Sequence, residues 1–323
     1  MILQYKNKDN KFYNIKEVSK SYFHMSDKLI VKLKNMQKIL LNGKTARITD
    51  KLNLNDIVEF DLNYEEESSN IVPTKMDLDI IFEDEAFLII NKPYNMPVHP
   101  SMNHYEDSLS NGIKYYFNSI NLNKKIRPVN RLDKDTSGLV VFAKNEYIQE
   151  NLINQMKENI FKKEYIAVLE GILPSKDGII NAPISRKQNS IIEREVNFEN
   201  GQESITYYKV LKEIKKQITN NIIYNNNICV QENSNQIDYC KTLNLSLVNF
   251  KLKTGRTHQI RVHSKFIGAP ILGDTLYNKK STIINRQALH AQKIEFLHPI
   301  TKNKMSFETE IPKDIQNIFD DYN

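Results

Sequence analysis

Several features are scarce or missing in this 323-residue chain, and each absence excludes a class of protein. The two cysteines, Cys229 and Cys240, form no CxxC pair, which indicates a cytoplasmic protein without disulfides. No run approaches the roughly 18 apolar residues of a membrane span, and the start, MILQYKNKDNKFYN, lacks the apolar segment of a signal peptide. Neither a GxGxxG nor a P-loop motif occurs, so the sequence shows no nucleotide-binding motif of these two kinds.

Positive charge is the first feature that the chain does have. Lys and Arg number 45 against 39 Asp and Glu, which gives a formal net charge of +6. The excess is concentrated: residues 28–47 contain six basic residues and no acidic one, and residues 251–265 contain five Lys or Arg and two His. Such stretches are typical of surfaces that bind nucleic acid phosphates, although a solvated face gives the same pattern.

A change in composition divides the chain. Residues 65–76 combine glutamates, serines and a proline between apolar segments, which is linker composition. The chain is 40% hydrophobic, which is enough apolar material for one large domain and a small one. We therefore expect a small unit over residues 1–64 and a large unit from residue 77.

The small unit is predicted to be a basic helix followed by a short sheet. Ser26 or Asp27 is a suitable cap, and apolar residues then recur at helical spacing at Leu29, Leu33, Met36 and Leu40. Asn42-Gly43 is typical of a hairpin turn, and residues 57–62 alternate like a strand. We interpret this unit as an RNA-docking module, with a purely structural cap as the alternative. Its candidate phosphate contacts are Lys28, Lys32, Lys38 and Lys44.

Strands and helices mix after the linker without a regular βαβ rhythm. Strands are predicted on both sides of the acidic turn at residues 83–85, over GLVVFAKN, and over FKKEYIAVLEG. One helix is predicted with Asp107 or Ser108 as its cap, and another with Asn145 as its cap. Residues 212–244 are polar and rich in Asn, which predicts a long loop or an insertion.

The segment RPVNRLDKDTSGLVVFAKN, residues 127–145, carries the strongest chemical signal. Asp133 lies on a turn beside Arg131 and Lys134, immediately before a buried strand. A strand can fix the position of a reactive carboxylate while the turn exposes it. An ordinary surface turn rich in Asp, Ser and Gly is the alternative.

A second segment, KLKTGRTHQIRVHSKFIGAPILGDTLYN, covers residues 251–278. Gly255 permits a tight turn from which Arg256 and His258 project. If the next residues are extended, Arg261 shares one face with Thr257 and Gln259, and it can pair with a buried carboxylate. Two histidines alone, without a matching cysteine or carboxylate cluster, do not indicate a metal site.

Four motifs occur in the order of a known family. NKPYNMPVHPS, NRLDKDTSGLVVFAK, GRTHQIRVHSKFIGAPILGDTLY and LHAQKIEFLHP resemble the successive motifs of the RluA family of RNA pseudouridine synthases. The resemblance covers about residues 77–312, which leaves residues 313–323 as a tail. LKNMQKILLNGK and LNLNDIVEFDL are similar to the RNA-binding domain of the ribosomal protein S-four type.

The resemblance implies an α+β fold with a mixed, mostly antiparallel sheet, and it implies roles for individual residues. Asp133 is then the catalytic aspartate, Tyr165 the ring that stacks on the flipped uracil, and Arg261 the cation that pairs with the aspartate. Arg131 is expected to enter the RNA stack. Arg256 and His258 are expected to bind RNA. The implied reaction converts uridine to pseudouridine without cofactor or metal, in a monomer acting on ribosomal or transfer RNA.

Two other classes stay open from the residues alone. One is an RNA-binding protein that kept the fold and lost catalysis, although Asp133 and Tyr165 are both present. The other is a glycoside or nucleoside hydrolase, which needs a second carboxylate near Asp133, and Asp135 is the nearest in sequence. The chain also departs from the family at Asn130, where His is usual, and we expect that residue to support RNA or loop geometry.

Overall fold

The structure is a computed structural model that describes residues 1–66, 70–220 and 239–320. The strands are β1 Ile2–Lys6, β2 Ile39–Leu41, β3 Lys44–Thr45, β4 Ile57–Asp61, β5 Ile80–Glu83, β6 Phe87–Lys92, β7 Arg127–Pro128, β8 Ser137–Ala143, β9 Lys162–Glu170, β10 Asp177–Asn181, β11 Ile184–Arg186, β12 Arg194–Val196, β13 Ile205–Asn220, β14 Tyr239–Leu252, β15 Leu289–Leu297 and β16 Lys304–Glu308. The helices are α1 Ile15–Glu17, α2 Asp27–Asn35, α3 Leu109–Ser119, α4 Glu146–Lys157, α5 Gln259–Phe266 and α6 Lys313–Asp320, and a π-helical turn, Val18–Tyr22, follows α1.

The N-terminal segment contains the basic helix and small sheet expected from its pattern. The hydroxyl of Ser26 caps α2 by accepting from the Leu29 amide at 3.3 Å. The sheet is antiparallel in the order β1-β4-β2-β3. Asn42 and Gly43 both adopt positive φ, 52° and 77°, as a two-residue hairpin turn requires.

The second and larger sheet carries the rest of the chain. Its strand order is β10-β13-β14-β9-β15-β8-β6-β5, with β16 added beside β15 and β7 beside β8. Only the β15–β8 pair is parallel among the strand pairs of the described residues. The predicted α+β class with a mixed, mostly antiparallel sheet is therefore confirmed.

Apolar side chains cover both faces of this sheet. Successive residues of β6 and β8 enter two different clusters, with Leu88 and Val140 in one and Phe87 and Leu139 in the other. The second cluster continues without a break into the N-terminal segment, where it includes Leu29 and other side chains. The N-terminal segment is thus packed against one face of the large sheet.

A glycine permits the close pairing of β8 with β15 beside the candidate site. Gly138 has φ +115°, and a Cβ there would lie 2.3 Å from the carbonyl oxygen of Ala291. β8 can therefore approach β15 closely enough to pair only where a side chain is missing. This contact positions the turn that precedes β8.

Two predictions of local structure are wrong. The segment QIRVH forms the start of α5 and is not extended. Residues 212–220 and 239–244 belong to the long antiparallel pair β13–β14 and not to a loop, while residues 221–238 lie outside the described residues. Strand pairing across distant sequence supplies hydrogen-bond partners that a local pattern does not reveal. Within the described ranges, no helix is long and apolar enough to cross a membrane.

Candidate active site

Asp133 lies on a short turn whose geometry is fixed by hydrogen bonds. The Thr136 amide donates to the Asp133 carbonyl at 3.1 Å and closes the turn directly before β8. The Gln287 amide donates to the Thr136 hydroxyl at 2.6 Å. Thr136 and Gln287 are both buried, so the turn is held from inside the protein, while the Asp133 side chain is 29% exposed.

Two buried cations hold the carbonyl groups of the same turn. The ammonium of Lys92 is fully buried and donates to the carbonyls of Lys134 at 3.0 Å, Pro93 at 2.8 Å and Met96 at 2.8 Å. The Arg286 guanidinium donates to the Asp135 carbonyl at 3.3 Å. Burial lowers the pKa of Lys92 to about 7, and the three carbonyl acceptors match its protonated form.

Arg286 is in turn fixed by the C-terminal helix. It forms a two-point contact with Asp314 of α6, at 2.7 Å and 3.0 Å. Its guanidinium also lies over the ring of Tyr94, 4.9 Å from the centroid. The turn that carries Asp133 therefore depends on residues far apart in the sequence.

Arg261, on α5, bridges two carboxylates. It donates to Asp133 at 2.8 Å and to both oxygens of Asp274, at 2.7 Å and 2.8 Å. Burial alone would lower the pKa of Arg261, but the hydrogen bonds and charges of Asp274 and Asp133 raise it well above its usual value. The cation that faces Asp133 is therefore permanent.

Asp274 is the anchor of this arrangement. Its side chain has 0% exposure and also accepts from the amides of Leu276 at 3.1 Å and Tyr277 at 3.2 Å. Four hydrogen bonds to one buried carboxylate fix the direction in which Arg261 points. Asp274 was not among the residues predicted from the sequence, although it lies inside the ILGDTLY motif.

Tyr165 lies in the same cavity and reaches it from β9. Its side chain is buried, and burial raises the pKa of its hydroxyl, with the negative charge of Asp133 raising it further. The phenol is therefore neutral at physiological pH. Its ring offers an aromatic face beside the carboxylate.

His258, which was predicted to bind RNA, lines the cavity of Asp133. Its backbone is left-handed, with φ +56°, and its Nε2 lies 3.8 Å from Asp133. Burial lowers the pKa of His258 despite the nearby carboxylate, which leaves the ring neutral. Its Nδ1 lies 2.8 Å from the Tyr277 hydroxyl, and that oxygen also accepts from the Arg194 amide at 2.8 Å.

The cavity has a volume of about 70 Å³ and combines charged groups with an apolar floor. The predicted site residues that the structure brings together here are Asp133, Tyr165, Arg261, Arg131, Arg256 and His258. Arg131 is exposed at the mouth and forms no ion pair within the described part of the chain. Asp135, the second carboxylate of the hydrolase alternative, is not among the described residues that line this cavity.

The lysines of the N-terminal segment lie far outside this cavity, and two of them have partners within the chain. Lys32 contacts Glu66 at 2.8 Å and Glu146 at 3.2 Å, and Lys38 contacts Asp61 at 2.5 Å. These ion pairs engage both ammonium groups within the protein, and RNA binding by Lys32 and Lys38 stays a prediction. Lys28 and Lys44 are exposed.

Asn130 has a clear structural position. Its side chain is buried, donates to the Leu139 carbonyl at 3.0 Å and accepts from the Val141 amide at 2.9 Å. It therefore fastens the segment before Asp133 to β8, which is loop support and not exposed contact with RNA.

Lys92 and Arg286 were not predicted as site residues. The sequence signal that could have identified Lys92 was its place in the NKP motif, whereas Arg286 had no distinguishing local pattern.

Comparison with known proteins places this geometry in a family. The RNA pseudouridylate synthase family profile matches residues 86–265, which include Asp133, Tyr165 and Arg261. The chain belongs to the RNA pseudouridine synthases of the RluA type. The synthase is an isomerase that converts uridine to pseudouridine in RNA. Nothing in these comparisons favours the catalytically inactive alternative.

Individual relatives cover most of the synthase. It is 37% identical over 282 residues to the uncharacterized RNA pseudouridine synthase YhcT of Bacillus subtilis, with 87% of this chain and 84% of that protein covered. It is 32% identical over 308 residues to ribosomal large subunit pseudouridine synthase D of Blochmanniella floridana, with 86% and 84% covered. The structure of human RNA pseudouridylate synthase domain containing 1 shares the fold, with TM-score 0.53, 22% identity, and 76% and 86% covered.

Proposed function

We propose that the synthase modifies uridines of ribosomal RNA and that Asp133 is its catalytic carboxylate. The arrangement that carries the proposal is the Asp274–Arg261–Asp133 bridge beside Tyr165. The ribosomal substrate is suggested by relatives named ribosomal large subunit pseudouridine synthase D. A cytoplasmic location is proposed for the same reason.

The proposed reaction requires an ionised carboxylate at the sugar. The bond from uracil N1 to ribose C1′ breaks, the base turns, and a new bond forms between C5 and C1′. The C5 proton leaves and N1 gains a proton, so atoms and charge balance without a redox partner. Asp133 serves either by attacking the sugar or by removing a sugar proton. Both routes need the negative charge that Arg261 stabilises from 2.8 Å.

Tyr165 is proposed to hold the base during its rotation. Stacking of a base on an aromatic side chain contributes about 1–3 kcal/mol, which helps to retain a detached uracil. The raised pKa of Tyr165 supports a role for the neutral phenol as a stacking surface and hydrogen-bond donor. If Tyr165 accepts the C5 proton, its phenol must give its own proton to another group. Asp133 is the neighbouring carboxylate that could accept it.

Arg131 is proposed to compensate for extraction of the nucleotide. Flipping a base out of a stack costs a few kcal/mol, and a side chain that fills the gap offsets part of this cost. Arg131 is exposed at the mouth of the cavity and lacks an ion-pair partner in the described residues. Its charge is therefore available to the RNA.

Residues 1–64 are proposed to be an RNA-binding domain of the ribosomal protein S-four type, joined by residues 65–76 to a catalytic domain at 77–312. The exposed Lys28 and Lys44 support this proposal. Replacing both with glutamine should weaken RNA binding, whereas replacing the paired Lys38 should change binding less. Equal losses for the two substitutions would contradict a specific docking role.

The decisive experiment uses large-subunit ribosomal RNA with tritium on uridine C5. The synthase should release tritium, and Asp133→Asn should bind the same RNA without releasing it. Asp135→Asn is the matched control, because it removes a carboxylate two residues away that does not line the cavity. Full turnover by Asp133→Asn, or no release from this RNA by the folded wild-type protein, would refute the respective part of the proposal.

A further inference from the structure

A second cleft adjoins the catalytic cavity and is lined by arginines. It has a volume of about 470 Å³, and its walls include Arg186 of β11, Arg194 of β12 and Arg256 before α5. No Asp or Glu occurs among the described residues that line it. Arg256 also lines the cavity of Asp133, so the two depressions share a wall.

The guanidinium groups of this cleft have no carboxylate partners within the described residues. The Arg194 guanidinium donates through Nη1 to the carbonyls of Ile192 at 3.3 Å and Glu193 at 3.1 Å, and Arg256 donates through Nε to the Glu203 carbonyl at 3.1 Å. Within the described residues, these three bonds leave donor positions on each guanidinium unused. The cleft is therefore positive and rich in directed donors.

Arg186 and Arg194 stand directly opposite each other across the β11–β12 ladder. Like charges in such a pair destabilise a hairpin, and this hairpin is short, with three residues in each strand. The nearby Glu193 does not relieve the repulsion, because it forms an ion pair with Lys187. A bound anion would neutralise the pair.

A fourth basic side chain, that of Lys163, lies next to the cleft. The backbone at Gly255 passes so close to Lys163 that a Cβ at residue 255 would lie 3.2 Å from the lysine Nζ. Lys163 precedes Tyr165 by two positions on β9, so both side chains emerge on the same face of the strand. Burial lowers the pKa of Lys163, and a phosphate bound nearby would favour its charged form.

Direct contacts fix the cleft relative to Asp133. The Arg194 amide donates to the Tyr277 hydroxyl at 2.8 Å, and that hydroxyl contacts His258 Nδ1 at 2.8 Å. His258 lies 3.8 Å from Asp133. The hairpin is therefore tied to the wall of the catalytic cavity, and an anion in the cleft would be a neighbour of a nucleotide bound there.

We propose that Arg186, Arg194 and Arg256 form a clamp for a backbone phosphate of the RNA strand next to the target uridine. This inference rests on the proposed function, because it assumes that the target nucleotide occupies the Asp133 cavity. The planar guanidinium forks suit phosphate oxygens. The clamp would hold the strand in register while the base is extracted, and it would contribute to binding and not to the chemical step.

The test compares the double variant Arg186→Gln/Arg194→Gln with the control variant Lys187→Gln. The control also removes a positive charge from the hairpin, but that charge is already paired with Glu193. Single-turnover tritium release is measured against RNA concentration at several salt concentrations. The double variant should need about tenfold more RNA for half-maximal rate, keep its maximal rate, and show a salt slope smaller by about 1. Lys187→Gln should stay close to wild type.

A neutral methylphosphonate placed in turn at each phosphate flanking the target provides a second readout. One such replacement should weaken binding by the wild type and have little further effect on the double variant. The clamp is excluded if affinity and salt slope are unchanged, if Lys187→Gln has the same effect, or if only the maximal rate falls. It is also excluded if inorganic phosphate binds the arginines while RNA affinity is unchanged by their loss. Failure of the proposed function itself would instead appear as no tritium release by wild type.

Discussion

The ion-pair network at Glu66 allows a quantitative prediction about how the N-terminal segment is attached. The Glu66 side chain is 4% exposed and accepts from Arg127 at 2.7 Å twice and from Lys32 at 2.8 Å. Lys32 belongs to α2, whereas Arg127 is the first residue of β7. Glu66 thus joins the N-terminal helix to the strand that leads to the catalytic turn.

The contribution of the Glu66 carboxylate to the free energy of unfolding follows from its pKa. Burial alone would raise the pKa of Glu66, but hydrogen bonds and charges from Arg127 and Lys32 lower it from 4.5 to about 2. Because each tenfold change in the proton affinity of a group corresponds to about 1.4 kcal/mol, this lowering of the Glu66 pKa corresponds to about 3 kcal/mol of stability. A lowered pKa in the folded state stabilises the protein fully above pH 4.5, and this stabilisation is lost as the pH falls toward 2.

The assay is urea unfolding of wild type and Glu66→Gln at pH 7 and at pH 3. At pH 3 the same relation leaves about 1.4 kcal/mol of the carboxylate's contribution, so the difference between the two proteins should shrink by about 2 kcal/mol. Glu65→Gln is the matched control, because that neighbouring side chain is exposed and accepts a hydrogen bond from Asn123 at 3.3 Å. A Glu66→Gln difference that is the same at both pH values would refute the reasoning.

Three further predictions concern the catalytic site. Asp274→Asn should lower kcat by about 100-fold and stability by about 3 kcal/mol, because Arg261 loses its buried partner; single-turnover rates and unfolding curves measure both, and an unchanged kcat would contradict the anchoring role. Tyr165→Phe should keep RNA affinity, because the stacking face remains, and should slow tritium release; a loss confined to binding would count against the proposed role. Gly138→Ala should cost more than about 2 kcal/mol, since it combines left-handed backbone with a 2.3 Å approach to Ala291; thermal unfolding near the wild-type value would show that this crossing tolerates a side chain.

Local sequence was enough to predict the elements with strong periodicity or caps. The α2 helix follows Ser26 as expected, and α4 follows Asn145, whose side chain accepts from the Ile148 amide at 3.0 Å. The strand over β8 was predicted from its apolar run, which is buried at every position. Each of these signals lies within a few residues of the element that it specifies.

The same locality explains the errors. QIRVH was expected to be extended, but Gln259 begins a helix after His258 adopts a left-handed backbone. Residues 212–220 of β13 and 239–244 of β14 were assigned to a loop, because a local polar pattern does not reveal that the two strands pair with each other. The local pattern around Lys32 and Lys38 also gives no sign of their ion pairs, because only the folded chain brings Glu66 and Asp61 to them.

The sequence by itself determined the family, through motifs whose residues are adjacent in the chain, and with it the candidates Asp133, Tyr165 and Arg261. Tertiary structure alone decided that Asp274 is the second carboxylate bound by Arg261, that His258 enters the cavity, and that Arg186 faces Arg194. The physical reason is distance. Charge pairing and burial act over a few ångströms in space. They join residues that are far apart along the chain, so a local sequence pattern does not reveal the contact.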